Sequence, residues 1–185
     1  MPEERAAATT MRGRPLTLVG PEIRAGQQAP KARVLAQDMS EVTLGEPDGQ
    51  VQILLTVPSV DTPVCAAETK RFNEEAARLP GVAVKVVSVD LPFALKRWCG
   101  AEKVENLQLL SDHRSLEFGQ QYGTLVQEMR ILSRAAFVLD GRGQVLHAEY
   151  VPEIADHPNY DAILAAARQA AGPAASPESR TSLRP

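Results

Sequence analysis

Two short runs constrain this chain most. Val51 to Val57 reads VQILLTV, and Val82 to Val89 reads VAVKVVSV. Both are nearly all apolar and rich in β-branched residues, and the first stops at Pro58. A strand with one wet face alternates polar and apolar residues, whereas a continuous apolar run suits a strand covered on both faces. Between the runs the spacing turns helical. Cys65, Thr69, Phe72, Ala76 and Leu79 recur at steps of four and three and line one face, with Glu68, Arg71, Glu74, Glu75 and Arg78 expected on the other. Buried strand, helix, buried strand is the unit of a sheet with helices on both faces.

The same pattern continues along the chain. Short strands are predicted at 16–19, 32–36, 41–44, 107–110, 135–139 and 144–149, and helices at about 63–79, 92–99, 114–122 and 159–171. Gly20-Pro21 after Leu16 to Val19 suggests a hairpin near the N-terminus, and Asp140-Gly141-Arg142-Gly143 is a second turn signal. A terminal hairpin makes the sheet mixed rather than purely parallel. The fold expected is α/β, a central mixed sheet flanked by helices with an N-terminal β-hairpin, a class that includes the thioredoxin-like folds.

Both ends differ from the middle. Residues 1–14 and 172–185 are rich in small and polar residues without periodicity, so both are expected to be flexible tails around one domain at 15–171. Twenty Lys and Arg against 23 Asp and Glu give a net charge of −3, which leaves no basic field to attract nucleic acid or anionic lipid. No apolar run approaches the roughly 20 residues of a membrane helix. No export signal is visible at Met1 to Pro15, so a cytoplasmic location is expected. Two cysteines exclude a multi-disulfide scaffold and, in a reducing compartment, are buried or redox-active thiols. His113, His147 and His157 have no metal-ligand spacing, and no phosphate loop or dinucleotide fingerprint is present. No metal or cofactor is expected.

The segment Pro58-Ser59-Val60-Asp61-Thr62-Pro63-Val64-Cys65 carries the chemistry. Thr62 is a good N-cap and Pro63 suits the first helical position, which puts Cys65 in the first turn. Backbone N–H groups there have no helical partner and the helix end is partly positive, so a thiolate is stabilised. The thiolate is the nucleophilic form of cysteine.

The spacing of Pro58, Thr62 and Cys65, P-x-x-x-T-x-x-C, resembles that of the peroxiredoxins. The longer string VPSVDTPVCAAETKRFNEEA is similar to their thiol peroxidase subfamily, the atypical two-cysteine type. So are VDLPFALKRWCGAE (89–102), SRAAFVLD (133–140) and QDMSEVTLG (37–45). The likeness covers about residues 14–170 and implies a thioredoxin-like fold and a thiol-dependent peroxidase active in antioxidant defence. It gives Cys65 the attack on hydrogen peroxide or an organic hydroperoxide, passing through sulfenic acid. Thr62 is then the active-site hydroxyl, a helix cap, or both. Pro58 shields the site or merely ends a strand. Arg134 is the active-site guanidinium, which cannot deprotonate. Cys99 is the resolving thiol of a Cys65–Cys99 disulfide. It is expected to end a short helix begun at Pro92, with Gly100 in the left-handed position beyond. The resemblance also implies thioredoxin as reductant and a homodimer. An alternative with the same residues is a redox relay or sensor passing the disulfide to a client. Val57 and Trp98 depart from the usual Phe, and the 124–133 stretch is shorter than the subfamily's loop, which bears on substrate size and dimer geometry.

Overall fold

A computed structural model describes residues 2–172 of the chain. Strands β1 (Glu4–Met11), β2 (Arg14–Val19), β3 (Ala32–Leu35), β4 (Glu41–Leu44) and β5 (Val51–Thr56) precede helix α1 (Pro63–Ala76). Then follow β6 (Val82–Ser88), α2 (Pro92–Glu102), β7 (Gln108–Ser111) and α3 (Glu117–Gln121). Strands β8 (Leu125–Val126), β9 (Ile131–Leu132), β10 (Ala135–Leu139) and β11 (Val145–Tyr150) lead to α4 (Tyr160–Ala171). The main sheet has the order β11-β10-β5-β6-β7-β3-β4. Strands β5, β6 and β7 are parallel, while β10 runs antiparallel to β5 and β3 antiparallel to β7.

The two apolar runs become β5 and β6 at the centre. All six residues of β5 are buried, and they divide by parity. Ile53 and Leu55 join the core under α1, α2 and α4, whereas Leu54 joins Phe118, Tyr122 and Phe137 on the other face. Right-handed crossovers from β5 to β6 to β7 place α1 and α2 on the same side. Each fully buried large side chain in these layers is worth about 2–3 kcal/mol of apolar transfer. The thioredoxin-like reading of the main sheet holds.

The N-terminus departs from expectation. Residues 4–11, read as tail, form β1, which pairs with β2 in a second sheet of order β1-β2-β8-β9. The hairpin turn is Arg12-Gly13, upstream of the Gly20-Pro21 signal. Both turn residues have positive φ, 51° and 75°, as a two-residue type I′ turn requires. β1 carries one large apolar residue, Met11, and polar contacts across the sequence hold the rest of it. Arg5 donates to the carbonyls of Gly20 and Gly123 and stacks on Tyr150, and the buried Thr9 hydroxyl reaches the Val151 carbonyl. Composition does not register such contacts. Strands β8 and β9, two residues each, occupy the 124–133 stretch and are too short for any periodicity to show. The tail expected at 172–185 lies outside the described residues beyond Gly172.

Helix ends also shift. α2 runs on through Gly100 to Glu102, so Cys99 is within the helix, and the left-handed residue is Lys103 at φ 54°. Nothing in Gly100-Ala101-Glu102 breaks the helix. The chain turns where Val104 enters the core, its N–H bonding to the Cys99 carbonyl. α3 is shorter than the predicted 114–122 because Leu116 is left-handed and the buried Asp112 carboxylate takes the N–H groups of Phe118 and Gly119.

Candidate active site

The site lies where β5 gives way to α1. Pro58 is buried at the end of the central strand, and the loop from Ser59 to Thr62 is fastened by Asp90 at the end of β6. The Asp90 carboxylate accepts from the Ser59 hydroxyl at 2.8 Å and the Val60 N–H at 2.9 Å. Thr62 has the extended backbone of an N-cap, and Pro63 is the first helical residue, as expected. The Thr62 side chain makes no cap bond, however. Its hydroxyl donates to the Ser59 carbonyl at 3.1 Å, back into the loop.

Cys65 is fully buried in the first turn. Arg134, just before β10, is 1% exposed and directs its guanidinium at three partners. Nη2 donates to Cys65 Sγ at 3.2 Å, Nε to the Ile154 carbonyl at 3.0 Å, and Nη1 to the Glu68 carboxylate. Residues 65 and 134 come together because β10 lies beside β5 in the sheet.

Glu68 corrects the sequence reading. It was expected on the solvent side of α1 but is fully buried, one turn beyond Cys65 on the core-facing side. Its Oε2 meets Arg134, while Oε1 has no partner among the described residues. Burial drives its carboxyl up from the usual 4.5 to about 7, against the opposing pull of the guanidinium. The i,i+3 spacing from Cys65 was the available signal, since residues three apart share a face. Polarity alone placed Glu68 outside. Asp90 gave no comparable sequence signal, as its role depends on the adjacency of β5 and β6.

Pro58, Thr62, Pro63, Val64 and Arg134 line a cavity of about 280 Å³. Its remaining wall comes from far off in sequence, from Met11 and Arg12 at the hairpin tip and from Ile154 and Ala155 after β11. Residues expected to belong to a loose tail thus border the cavity. Its lining is mostly apolar, with guanidinium-bearing residues Arg12 and Arg134 as its two cationic members.

Cys99 is half-buried on α2 and packs against the same core cluster as Cys65. Its sulfur accepts from Gln37 Nε2 at 3.1 Å, and burial raises its pKa, with the Gln37 bond opposing. Both thiols are free, each with its own partner. The structure therefore groups Pro58, Thr62, Cys65 and Arg134, while the Cys99 sulfur is bonded to Gln37. Among the described residues no cluster of His, Cys, Asp or Glu could hold a metal ion, and no helix is long and apolar enough to cross a membrane.

The chain is similar to known proteins in sequence and in fold. The Redoxin family model matches residues 24–164. A thiol peroxidase of Halalkalibacterium halodurans is 49% identical over 164 residues, covering 89% of this chain and 99% of the relative. The crystal structure of a peroxiredoxin-like protein from Aquifex aeolicus superposes with a TM-score of 0.84 at 43% identity, over 89% of this chain and 98% of that one. A thiol peroxidase from Chromobacterium violaceum, 22% identical, shares the fold with a TM-score of 0.76, over 84% of this chain and 91% of that one. With this shape and nearly half its residues in common with its relatives, the chain belongs to the Redoxin family and is a peroxiredoxin-type oxidoreductase of the thiol peroxidase group.

Proposed function

We propose that Cys65 is the peroxide-attacking thiol and Cys99 the thiol that resolves it. The observation that carries this reading is the bond from the buried Arg134 guanidinium to Cys65 Sγ at 3.2 Å. A permanent cation donates to this sulfur at the start of a helix, and the thiolate is the nucleophilic form of cysteine. The thiolate attacks the terminal oxygen of the hydroperoxide. An S–O bond forms, the O–O bond breaks, and the departing alkoxide or hydroxide leaves as alcohol or water after taking a proton. Cys65 becomes sulfenic acid. Arg134 then faces the negative charge that develops on the oxygens, where a fixed donor lowers the barrier most. Glu68 anchors that guanidinium from behind, Thr62 lines the cavity with its hydroxyl proton given to the Ser59 carbonyl and its oxygen left to accept, and Pro58 keeps water from the strand end.

Cys99 attacks the sulfenic sulfur, releasing water and forming the Cys65–Cys99 disulfide. The two sulfurs have separate partners, so the Arg134–Cys65 and Gln37–Cys99 hydrogen bonds give way as the S–S bond forms. A dithiol reductant, which the family likeness suggests is thioredoxin, restores both thiols by exchange. The same likeness supports hydrogen peroxide and organic hydroperoxides as substrates, a homodimer, and antioxidant work in the cytoplasm.

The test is peroxide-dependent NADPH consumption with thioredoxin and its reductase. Continuous turnover that vanishes in Cys65→Ser and falls sharply in Cys99→Ser supports the cycle. Disulfide formation without turnover points to the relay alternative. Unreactive thiols in the wild type overturn the assignment of both cysteines.

A further inference from the structure

The cavity beside Cys65 is larger than hydrogen peroxide needs. At about 280 Å³ it matches on the order of nine waters' share of the liquid. Its size and its apolar wall of Met11, Pro58, Val64 and Ile154 suit an organic group. Its two cationic residues are in different situations. The Arg134 guanidinium is engaged by Cys65, Glu68 and the Ile154 carbonyl. Arg12 makes no ion pair among the described residues.

The main chain around Arg12 is nonetheless fixed. The Glu153 carboxylate accepts from the N–H groups of Arg12 at 2.9 Å and Gly13 at 3.0 Å, and from the Thr10 hydroxyl at 2.8 Å. It also takes the Ala155 N–H at 3.2 Å. This acid therefore docks the tip of the hairpin through backbone donors and does not engage the guanidinium. Arg12 also occupies the turn position, at φ 51°, where Asn, Asp or Gly is conformationally preferred. A long cation held against that preference, on a pinned backbone, at an apolar cavity, breaks a local rule in the way functional positions do.

We propose that Arg12 is a specificity-determining residue that reads a carboxylate on the organic part of the hydroperoxide. The preferred substrates are hydroperoxides with an apolar body and an anionic group away from the O–O bond. This rests on Cys65 being the attacking thiol. The carboxylate is not consumed, and the bonds made and broken at sulfur and oxygen are those given above. A planar guanidinium suits such a group because it can donate two parallel N–H bonds to it. The contact is at the cavity rim, partly screened by water, so its effect is moderate, about fivefold in rate.

The decisive measurement uses cumene hydroperoxide and its para-carboxylate analogue, which differ only in the charged group. Pre-reduced full-length protein is mixed with each, and loss of the Cys65 thiol is followed in a single turnover by rapid alkylation, without any protein reductant. The readout is the ratio of the two rate constants. In the wild type at low salt the ratio should favour the carboxylate by about fivefold and decline as salt is added. In Arg12→Gln it should fall to near parity, and in Arg12→Glu it should reverse. A wild-type ratio near one, or a preference that survives Arg12→Gln, overturns the assignment of Arg12 while leaving Cys65 in its role. If neither peroxide oxidises Cys65 in the wild type, the attacking-thiol reading fails and this proposal falls with it.

Discussion

Glu68→Gln should make this protein more stable at neutral and alkaline pH. The glutamate is fully buried, its carboxyl raised by burial to about 7, and one of its oxygens has no partner among the described residues. An acid whose folded-state pKa lies above its unfolded value binds its proton more tightly in the folded state. Stability is therefore full below the unfolded value of 4.5 and is lost as pH rises towards 7. At about 1.4 kcal/mol per pH unit, the loss across that window is about 3 kcal/mol. Glutamine has nearly the same shape, can accept the Arg134 N–H through its amide oxygen, and does not titrate. The assay is urea unfolding of the reduced protein, followed by Trp98 fluorescence at pH 5 and pH 8. Wild type and variant should differ little at pH 5, and the variant should be ahead by up to about 3 kcal/mol at pH 8. Peroxidase activity should move the other way, falling about tenfold, because a neutral amide anchors the guanidinium less firmly than a carboxylate. A stability difference that is equal at both pH values, or larger at pH 5, would refute the reasoning. Glu68 would then not be a titrating, burial-strained acid. The expected exchange of stability for activity is common where a site holds a strained group.

Two further perturbations probe the frame around the site. Glu153 has its carboxyl drawn down to about 2, chiefly by the Gly13 N–H, so its grip on the hairpin tip should persist above pH 4.5 and be lost only as pH falls towards 2. In Glu153→Gln the Ile154 N–H, which bonds to the Thr10 carbonyl, should exchange with deuterium markedly faster at neutral pH, and unchanged exchange would deny Glu153 its docking role. Gly20→Ala should destabilise by about 2–4 kcal/mol in thermal unfolding, a loss of the size that follows when a special backbone conformation is blocked. Gly20 has φ +106°, and a Cβ there would lie 1.9 Å from the Gln120 carbonyl oxygen. A loss under about 0.5 kcal/mol, typical of an ordinary surface change, would show that the hairpin base yields easily.

The sequence was most legible where the physics is local. The β5 and β6 runs, the Thr62-Pro63 helix start and the buried face of Cys65, Thr69 and Phe72 all follow from nearest-neighbour spacing, and the structure contains them. The sequence is least legible where a residue's type points away from its environment. Glu68 reads as a solvent-facing residue because carboxylates are rarely buried, which holds unless a cation has been provided for them. The residues of β1 read as a tail because they carry little apolar surface, although Arg5, Thr9 and Thr10 hold them by hydrogen bonds. Arg134 is an unremarkable cation by its local context, and only the family resemblance singled it out.

What the chain determined by itself was therefore most elements of its main sheet, its layers, and the position of one cysteine at a helix start. Periodicity and capping act over a few residues and are written directly in the sequence. Tertiary structure decided the partners. Arg134 meets Glu68 and Cys65 across 66 and 69 residues, and the hairpin meets the segment after β11 across 142. Those pairings depend on which strands lie side by side in the sheet and which loops then share an edge, and no local window of residues contains that information.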